Sequence, residues 1–225
     1  MTEPQQGLSY DEILAVAKAA EANGFSGFFR SDHYASFPGD PGLPTTDCWA
    51  TLAGLARETT GIQLGALVSP VTFRIPGAFA KMVMTVDEMS GGRVEVGVGA
   101  GWNDVEHEQL GIAFPDVPAR VDMLEEELEI LTGLWSGAEG WAFDGAHWKV
   151  RGGSMRPNVR PEALRTDGRE RPNLIVGGTG KPRSLRLGAR FADEYNISSS
   201  SAERCAEVRT QLAAECEAIG RDPST

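Results

Sequence analysis

Short apolar runs and amphipathic stretches alternate along this chain. In the run from Ile62 to Val68 nearly every position is apolar, which is typical of a strand covered on both faces. A helix-like segment follows each run, and this alternation indicates βαβ units around a parallel sheet. We predict five strands, at Gly27–Arg30, Ile62–Val68, Val94–Val98, Asn173–Val176 and Glu194–Ile197.

The helix-like segments carry start and stop signals. Ser9 and Glu12 fit a capping box, in which each side chain accepts a backbone amide of the first turn. Residues 136–172 are less regular, with a hairpin signal at Asp144-Gly145. We predict helices over residues 10–23, 47–58, 76–89, 103–110, 118–135, 181–192 and 203–219.

Five such units fit either an open doubly wound sheet or a barrel. A complete (β/α)₈ barrel needs eight units over about 250 residues, and this chain has 225 residues. The residues alone therefore predict an α/β fold that is either an open sheet or an incomplete barrel.

Charge and composition narrow the class of protein. The 21 basic and 32 acidic residues give a net charge of −11, which argues against nucleic-acid and anionic-membrane partners. No window approaches the roughly 18 consecutive apolar residues of a membrane span, and the N-terminus does not resemble a signal peptide. Cys48, Cys205 and Cys216 show no metal-ligand spacing. We expect a soluble, cytoplasmic protein without a metal site or a disulfide framework.

Polar or glycine-rich clusters follow four predicted strands, where parallel α/β folds bind ligands. These clusters are Asp32-His33, Ser69-Pro70, Gly97 to Asn103 and Gly177 to Lys181. An imidazole beside a carboxylate can serve as acid, base or hydrogen-bond donor near neutral pH. We therefore interpret His33 as a candidate catalytic residue, the alternative being a loop histidine bonded to a backbone carbonyl.

Three other features are interpreted as structural. His107 is expected on an exposed helix, and residues 125–127, all glutamate, are expected on a solvated helix face. Cys48 is expected to pack inside.

The glycines of Gly97-x-Gly99-x-Gly101 would let a flat ring or a phosphate approach the backbone. Their spacing is not that of the dinucleotide fingerprint, because Trp102 follows where that pattern continues. Trp102 itself would either stack on a ring or pack in the core.

A second glycine-rich turn, Gly177-Gly178-Thr179-Gly180, lies between a predicted strand and a helix. Its free amides and the positive helix end suit an anion, and Lys181 adds charge. The turn lacks the Walker A pattern. We predict that it binds a phosphate group.

Five ordered blocks of this chain resemble the bacterial luciferase-like monooxygenase superfamily. They are Phe29 to Tyr34, Leu64 to Arg74, Ser90 to Asn103, Val176 to Gly178 and Phe191 to Asn196. Within that superfamily the chain looks closest to oxidoreductases that use the deazaflavin coenzyme F-420 (also written F420). The resemblance implies a luciferase-like (β/α)₈ TIM barrel, as one domain over residues 1–225 with an insertion at about 111–172. It also implies that the first strand and the last two strands are largely absent from these residues.

The resemblance assigns roles to individual residues. The family's histidine at the position of His33 contacts the isoalloxazine-like ring and supports hydride transfer, with Asp32 beside it to orient it. The strand end at Leu67, Val68 and Ser69 matches a place where the family often has a non-proline cis peptide that backs the ring. The further implied cofactor contacts are Gly99, Gly101, Trp102, Asn103, Gly177, Gly178, Thr179 and Gly180.

The implied function is that of an oxidoreductase moving a hydride between F420 and a small organic substrate. One alternative is a two-component monooxygenase of the alkanesulfonate or alkane type, which uses reduced FMN and oxygen. Another is a truncated, non-catalytic barrel that binds a flavin or a partner subunit. Sugar-phosphate dehydrogenases of the family carry a catalytic Glu at the position of Trp102, so their substrate is not implied. Family members are often dimers, so the resemblance also allows a homodimer.

Overall fold

A computed structural model describes residues 1–40, 42–153 and 171–224. Its strands in the main sheet are β1 (Gly27–Arg30), β2 (Gln63–Pro70), β3 (Val94–Gly99), β6 (Asn173–Gly178) and β7 (Glu194–Ile197). They pair in parallel in the order β1-β2-β3-β6-β7. A separate antiparallel pair consists of β4 (Trp141–Asp144) and β5 (Lys149–Gly153). The five predicted strands and the hairpin are confirmed.

Helices follow the strands as the capping signals indicate. The described helices are α1 (Tyr10–Ala22), α2 (Cys48–Glu58), α3 (Pro76–Ser90), α4 (Asp104–Leu110), α5 (Val117–Trp135), α6 (Pro182–Phe191) and α7 (Ala202–Ala218). The capping box is confirmed, since the Ser9 amide donates to Glu12 Oε2 at 2.8 Å and the Glu12 amide donates to Ser9 Oγ at 3.4 Å. None of the described helices combines the length and apolar character needed to cross a membrane.

The order of the strands is inconsistent with the doubly wound alternative. In a doubly wound sheet the order reverses at a switch point, whereas here each later strand joins the same edge of the sheet. Right-handed crossovers then place the helices on one face. Within the described residues β1 and β7 are the outer strands, and Thr2 adds one isolated parallel bridge to Arg30. The fold is an α/β fold with a parallel, half-barrel sheet.

The core lies between this sheet and its helices. Val94, Val96 and Val98 of β3 point into it, as expected for alternate residues of one strand. Leu124, Leu128, Leu131 and Leu134 of α5 pack on the same core. The loops after β1, β2, β3 and β6 are left at one end of the sheet, where the candidate site lies.

Two interpretations from sequence are wrong. Glu127 is 2% exposed and His107 is 1% exposed, although both were expected at the surface. Successive residues of a helix lie about 100° apart, so the three consecutive glutamates at 125–127 cannot share one face. Glu126 instead accepts amides of the β4–β5 loop, and Glu125 pairs with Arg183. Cys48 is fully buried, as expected.

Residues 111–172 do not form one irregular segment. They include α5, which packs in the core, and the hairpin of β4 and β5, which packs against α5. Residues 154–170 of this range lie outside the described residues. The insertion implied by the resemblance stays a prediction.

Candidate active site

His33 lies in the loop after β1, and its ring is bonded to a carboxylate on another element. His33 Nδ1 is 2.8 Å from Oε1 of Glu106 on α4. Oε2 of Glu106 accepts the backbone amides of Tyr34 at 2.8 Å and Ala35 at 3.3 Å. The expectation that Asp32 orients His33 is therefore corrected, because Glu106 is the carboxylate on the ring. Glu106 could not be identified from the sequence, because it lies 73 residues from His33 and no motif spacing links the two positions.

Asp32 instead joins a buried network that holds the loop after β1 against the end of β2. Ser69 Oγ donates to Asp32 Oδ2 at 2.6 Å, and the Arg74 guanidinium donates to both Asp32 oxygens. Arg74 also donates to Asp47 at 2.8 Å and to the Tyr34 hydroxyl at 3.0 Å. Burial raises the pKa of Tyr34, so its hydroxyl stays protonated and donates to Asp47. The Arg74 guanidinium thus contacts both the buried carboxylate of Asp32 and the partly exposed carboxylate of Asp47.

The end of β2 contains the irregularity that the resemblance implies. A non-proline cis peptide joins Leu67 and Val68, and the pairing register with β3 shifts there. The Val68 side chain lies over glycines of β3 and β6. A Cβ on Gly99 or Gly177 would lie 2.9 Å from a Val68 methyl, and one on Gly97 would lie 2.8 Å from the other methyl and still closer to the Ala66 backbone oxygen. These glycines therefore make room for Val68, and their contact with a cofactor stays a prediction.

Trp102 belongs to an aromatic cluster at the mouth of the site. Its ring centroid lies 5.8 Å from the ring centroid of His33 and 5.0 Å from that of Phe37. The ring centroids of His33 and Phe37 are 4.4 Å apart. Trp102 is 65% exposed, so the core interpretation is wrong. Phe37 could not be identified from the sequence, because an apolar residue in a loop carries no spacing signal. The preceding Gly101 has a φ of 77°, which favours glycine.

Helix α4 connects three loops of this end. His107 Nδ1 lies 2.6 Å from the backbone oxygen of Asn103, and its Nε2 lies 2.6 Å from Thr72 Oγ1. Asn103 follows β3, Thr72 follows β2, and the neighbouring Glu106 reaches the loop after β1. The buried His107 is thus part of the support of the site.

The turn from Gly177 to Gly180 joins β6 to α6. The Gly180 amide donates to the Tyr195 hydroxyl at 3.1 Å, so it is not free for a ligand. Arg204 donates to the Gly180 oxygen at 3.4 Å. Thr179 and Lys181 are exposed, and Lys181 begins α6 without a side-chain cap. Pro182, the first residue of α6, has no amide N–H, so the donors left for an anion are the amides that follow it in the first turn.

A groove of about 400 Å³ lies away from this end. It is formed by α5, α6, α7 and the residue after α7. Its lining residues are Glu125, Arg183, Arg186, Leu187, Ala189, Arg190, Glu215 and Ile219. None of them follows a strand of the sheet, so this groove is not part of the candidate active site.

The His33 ring can accept or donate a proton at its Nε2 atom. Only 12% of the His33 side chain is exposed, and its Nδ1 is engaged by Glu106. Within the described part of the chain, no residue bonds to Nε2. This nitrogen is therefore left for a bound molecule, and imidazole is suited to proton transfer near neutral pH.

Comparisons with known proteins agree with the fold. The family described as luciferase-like monooxygenase matches residues 1–225. A relative named F420-dependent glucose-6-phosphate dehydrogenase, from Microbacterium testaceum, is 31% identical over 191 residues, 84% of this chain and 53% of the relative. The chain thus spans about half the length of that relative.

Two solved structures share the fold at low identity. An F420-dependent secondary alcohol dehydrogenase in complex with an F420-acetone adduct has a TM-score of 0.83 at 22% identity. The match covers 96% of this chain and 63% of that one. The oxygenating constituent of 3,6-diketocamphane monooxygenase from Pseudomonas putida, in complex with FMN, has a TM-score of 0.72 at 20% identity. It covers 95% of this chain and 59% of that one.

Proposed function

Because this chain belongs to the luciferase-like monooxygenase family, we propose that it transfers a hydride between the deazaflavin coenzyme F420 and a small organic substrate. The relative named as F420-dependent supports the choice of coenzyme. The observation that carries the proposal is the His33 ring, held by Glu106 with Nε2 left open. It lies after β1, beside the Val68 bulge of the neighbouring strand.

The residues at this end of the sheet fit a flat ring with a phosphate-bearing tail. Leu67 and Val68 offer a half-buried apolar surface at the end of β2. The start of α6 offers the amides that follow Pro182, the positive end of the helix and the charge of Lys181. His33 would face the ring, and these α6 amides would hold the phosphate. The coenzyme supplies the hydride chemistry, while the protein supplies orientation and electrostatics.

The same geometry indicates which group would transfer the proton. With an alcohol as substrate, Nε2 of His33 would take the hydroxyl proton, and the hydride would pass from the carbon that bears the oxygen to the oxidised coenzyme. In the reverse direction Nε2 returns the proton to the carbonyl oxygen. Phe37 and Trp102 would exclude water from one side of the His33 ring. General acid–base help of this kind contributes about 10²–10⁴-fold to the rate.

The first test is cofactor binding. F420 and FMN, each oxidised and reduced, are titrated against the chain while its tryptophan fluorescence is followed. Preferential binding of F420 supports the proposal. A soluble, folded chain that binds neither cofactor contradicts it and favours the non-catalytic alternative.

The second test is His33→Ala. Turnover of F420 with a panel of small alcohols is expected to fall about 100-fold, because the proton-transfer group is lost. His147→Ala is the matched control, since His147 is exposed in the β4–β5 loop. Unchanged turnover in the His33 variant would remove this residue from the mechanism.

A monooxygenase that uses reduced FMN and oxygen is the second candidate function. The fold shared with a monooxygenase in complex with FMN favours it. Tight binding of reduced FMN alone, with oxygen consumption, would replace the hydride-transfer proposal.

We also propose that the described sheet is part of a luciferase-like TIM barrel, within one domain over residues 1–225. The sequential strand order and the TM-score of 0.83 support this. A homodimer and a cytoplasmic location stay predictions from the sequence.

A further inference from the structure

We propose that Glu106 is a positioning residue that fixes His33 in the tautomer with its proton on Nδ1, leaving Nε2 as the proton acceptor. The use of Nε2 on a substrate rests on the proposed function. The tautomer is a property of the chain itself and can be tested without any cofactor.

The hydrogen bonds around Glu106 carry this inference. Oε1 lies 2.8 Å from His33 Nδ1, and Oε2 accepts two backbone amides, from Tyr34 and Ala35. A carboxylate accepts hydrogen bonds and has no proton to donate. In the neutral imidazole one nitrogen donates and the other accepts. The proton of the neutral ring therefore lies on Nδ1, where the acceptor is.

Both partners are held in place, so the tautomer is set by structure rather than by solvent. Glu106 is 1% exposed, and 12% of the His33 side chain is exposed. His107, the next residue of α4, is bonded to Thr72 and to the Asn103 backbone. These bonds hold the turn of α4 that carries Glu106, and its carboxylate cannot turn away without breaking its bonds to the Tyr34 and Ala35 amides. A hydrogen bond to one ring nitrogen that decides the state of the other is a common way to tune histidine.

A purely structural role for Glu106 is the alternative, since the same carboxylate anchors the loop through the Tyr34 and Ala35 amides. Glu106→Gln separates the two roles. The glutamine oxygen can replace Oε2 and accept both amides, which keeps the loop in place. Its NH₂ group then faces His33 Nδ1 and donates to it, so the proton of the neutral ring moves to Nε2.

The experiment is ¹⁵N NMR of the histidine rings in ¹⁵N-histidine-labelled protein, at a pH where the rings are neutral. The chain has three histidines, and the spectrum of His33→Ala assigns the signals of His33. We expect Nδ1–H in the wild type and Nε2–H in Glu106→Gln. We expect Glu108→Gln, a change at an exposed position of the same helix, to leave His33 unchanged.

Kinetics provide the second readout. With the alcohol substrate, Glu106→Gln is expected to lower kcat about 100-fold, the scale of general acid–base catalysis, with KM nearly unchanged. Glu106→Asp keeps an acceptor-only group and is expected to restore the Nδ1–H form. Loss of loop anchoring alone would lower the melting temperature without reversing the tautomer.

Three outcomes would overturn the proposal. The first is a His33 ring that carries its proton on Nε2 in the wild type. This outcome is measured on the wild-type protein alone, so it does not depend on the folding of any variant. The second is retention of Nδ1–H in Glu106→Gln. The third is a reversed tautomer with unchanged kcat, which would show that the tautomer does not matter to the reaction. If the wild type turns over no substrate, the proposed function fails, while the NMR result still decides the role of Glu106 in orienting the ring.

Discussion

Glu127 is a buried carboxylic acid in the core face of α5, and its ionisation gives a quantitative test of the fold. It is 2% exposed, and its Oε2 has no hydrogen-bond partner in the described part of the chain. Burial raises its pKa from 4.5 to about 8, although the charge of Arg74 opposes this increase. Between these two values the native protein holds a proton that the unfolded chain has lost.

The perturbation is Glu127→Gln, which keeps the shape of the side chain but has no proton to lose. A raised pKa in the native state means that the free energy of unfolding is highest below pH 4.5 and falls as pH rises to about 8. Between the two pKa values, each pH unit lowers the free energy of unfolding by about 1.4 kcal/mol. The wild type should therefore lose about 3 kcal/mol by pH 7 and about 4 kcal/mol by pH 8. The glutamine variant should lack this loss.

The assay is urea unfolding of both proteins between pH 4.5 and pH 8, followed by circular dichroism. Other titrating groups are common to both proteins, so the difference in the free energy of unfolding isolates Glu127. Glu217→Gln, at an exposed position of α7, is the matched control for replacing a glutamate by a glutamine. A Glu127→Gln variant whose stability runs parallel to the wild type over this range would refute the buried, protonated state.

Two further substitutions test the bulge and a loop anchor. Gly177→Ala places a Cβ 2.9 Å from one Val68 methyl and 3.1 Å from the other, so it should lower stability by about 1–3 kcal/mol and weaken cofactor binding. Gly77→Ala, with open space around the new Cβ, is the control, and equal urea midpoints for both variants would contradict the packing of the bulge. The Gly61 amide, with other amides of its loop, lowers the pKa of Glu21 to about 2. Glu21→Gln should therefore reduce the melting temperature above pH 4.5, with the difference vanishing as pH falls towards 2; a pH-independent difference would argue against this anchor.

Much of the backbone could be predicted from the sequence, because those signals are local. The capping box at Ser9 and Glu12 needs only a polar side chain beside the first amides of a helix. The apolar alternation of β3 depends only on the period of an extended chain. The clusters at Asp32-His33 and Gly177 to Gly180 could be placed at one end of the sheet for the same reason, since parallel strands share their carboxyl ends.

The partners of the site residues could not be predicted in this way. Asp32 precedes His33 in sequence, yet its carboxylate turns to Ser69 and Arg74, while Glu106 reaches the ring. Neighbouring residues of an extended segment point in opposite directions, so adjacency along the chain argues against their contact.

The sequence by itself determined the elements of this protein, their polarity and the end of the sheet where chemistry gathers. Only the tertiary structure decided which carboxylate holds His33, that Val68 occupies the space beside the glycines, and that Glu127 is buried. It also decided the sequential strand order over the doubly wound one. The reason is physical: helices and strands depend on neighbours within a few residues, whereas these contacts depend on how loops and strands far apart in sequence meet.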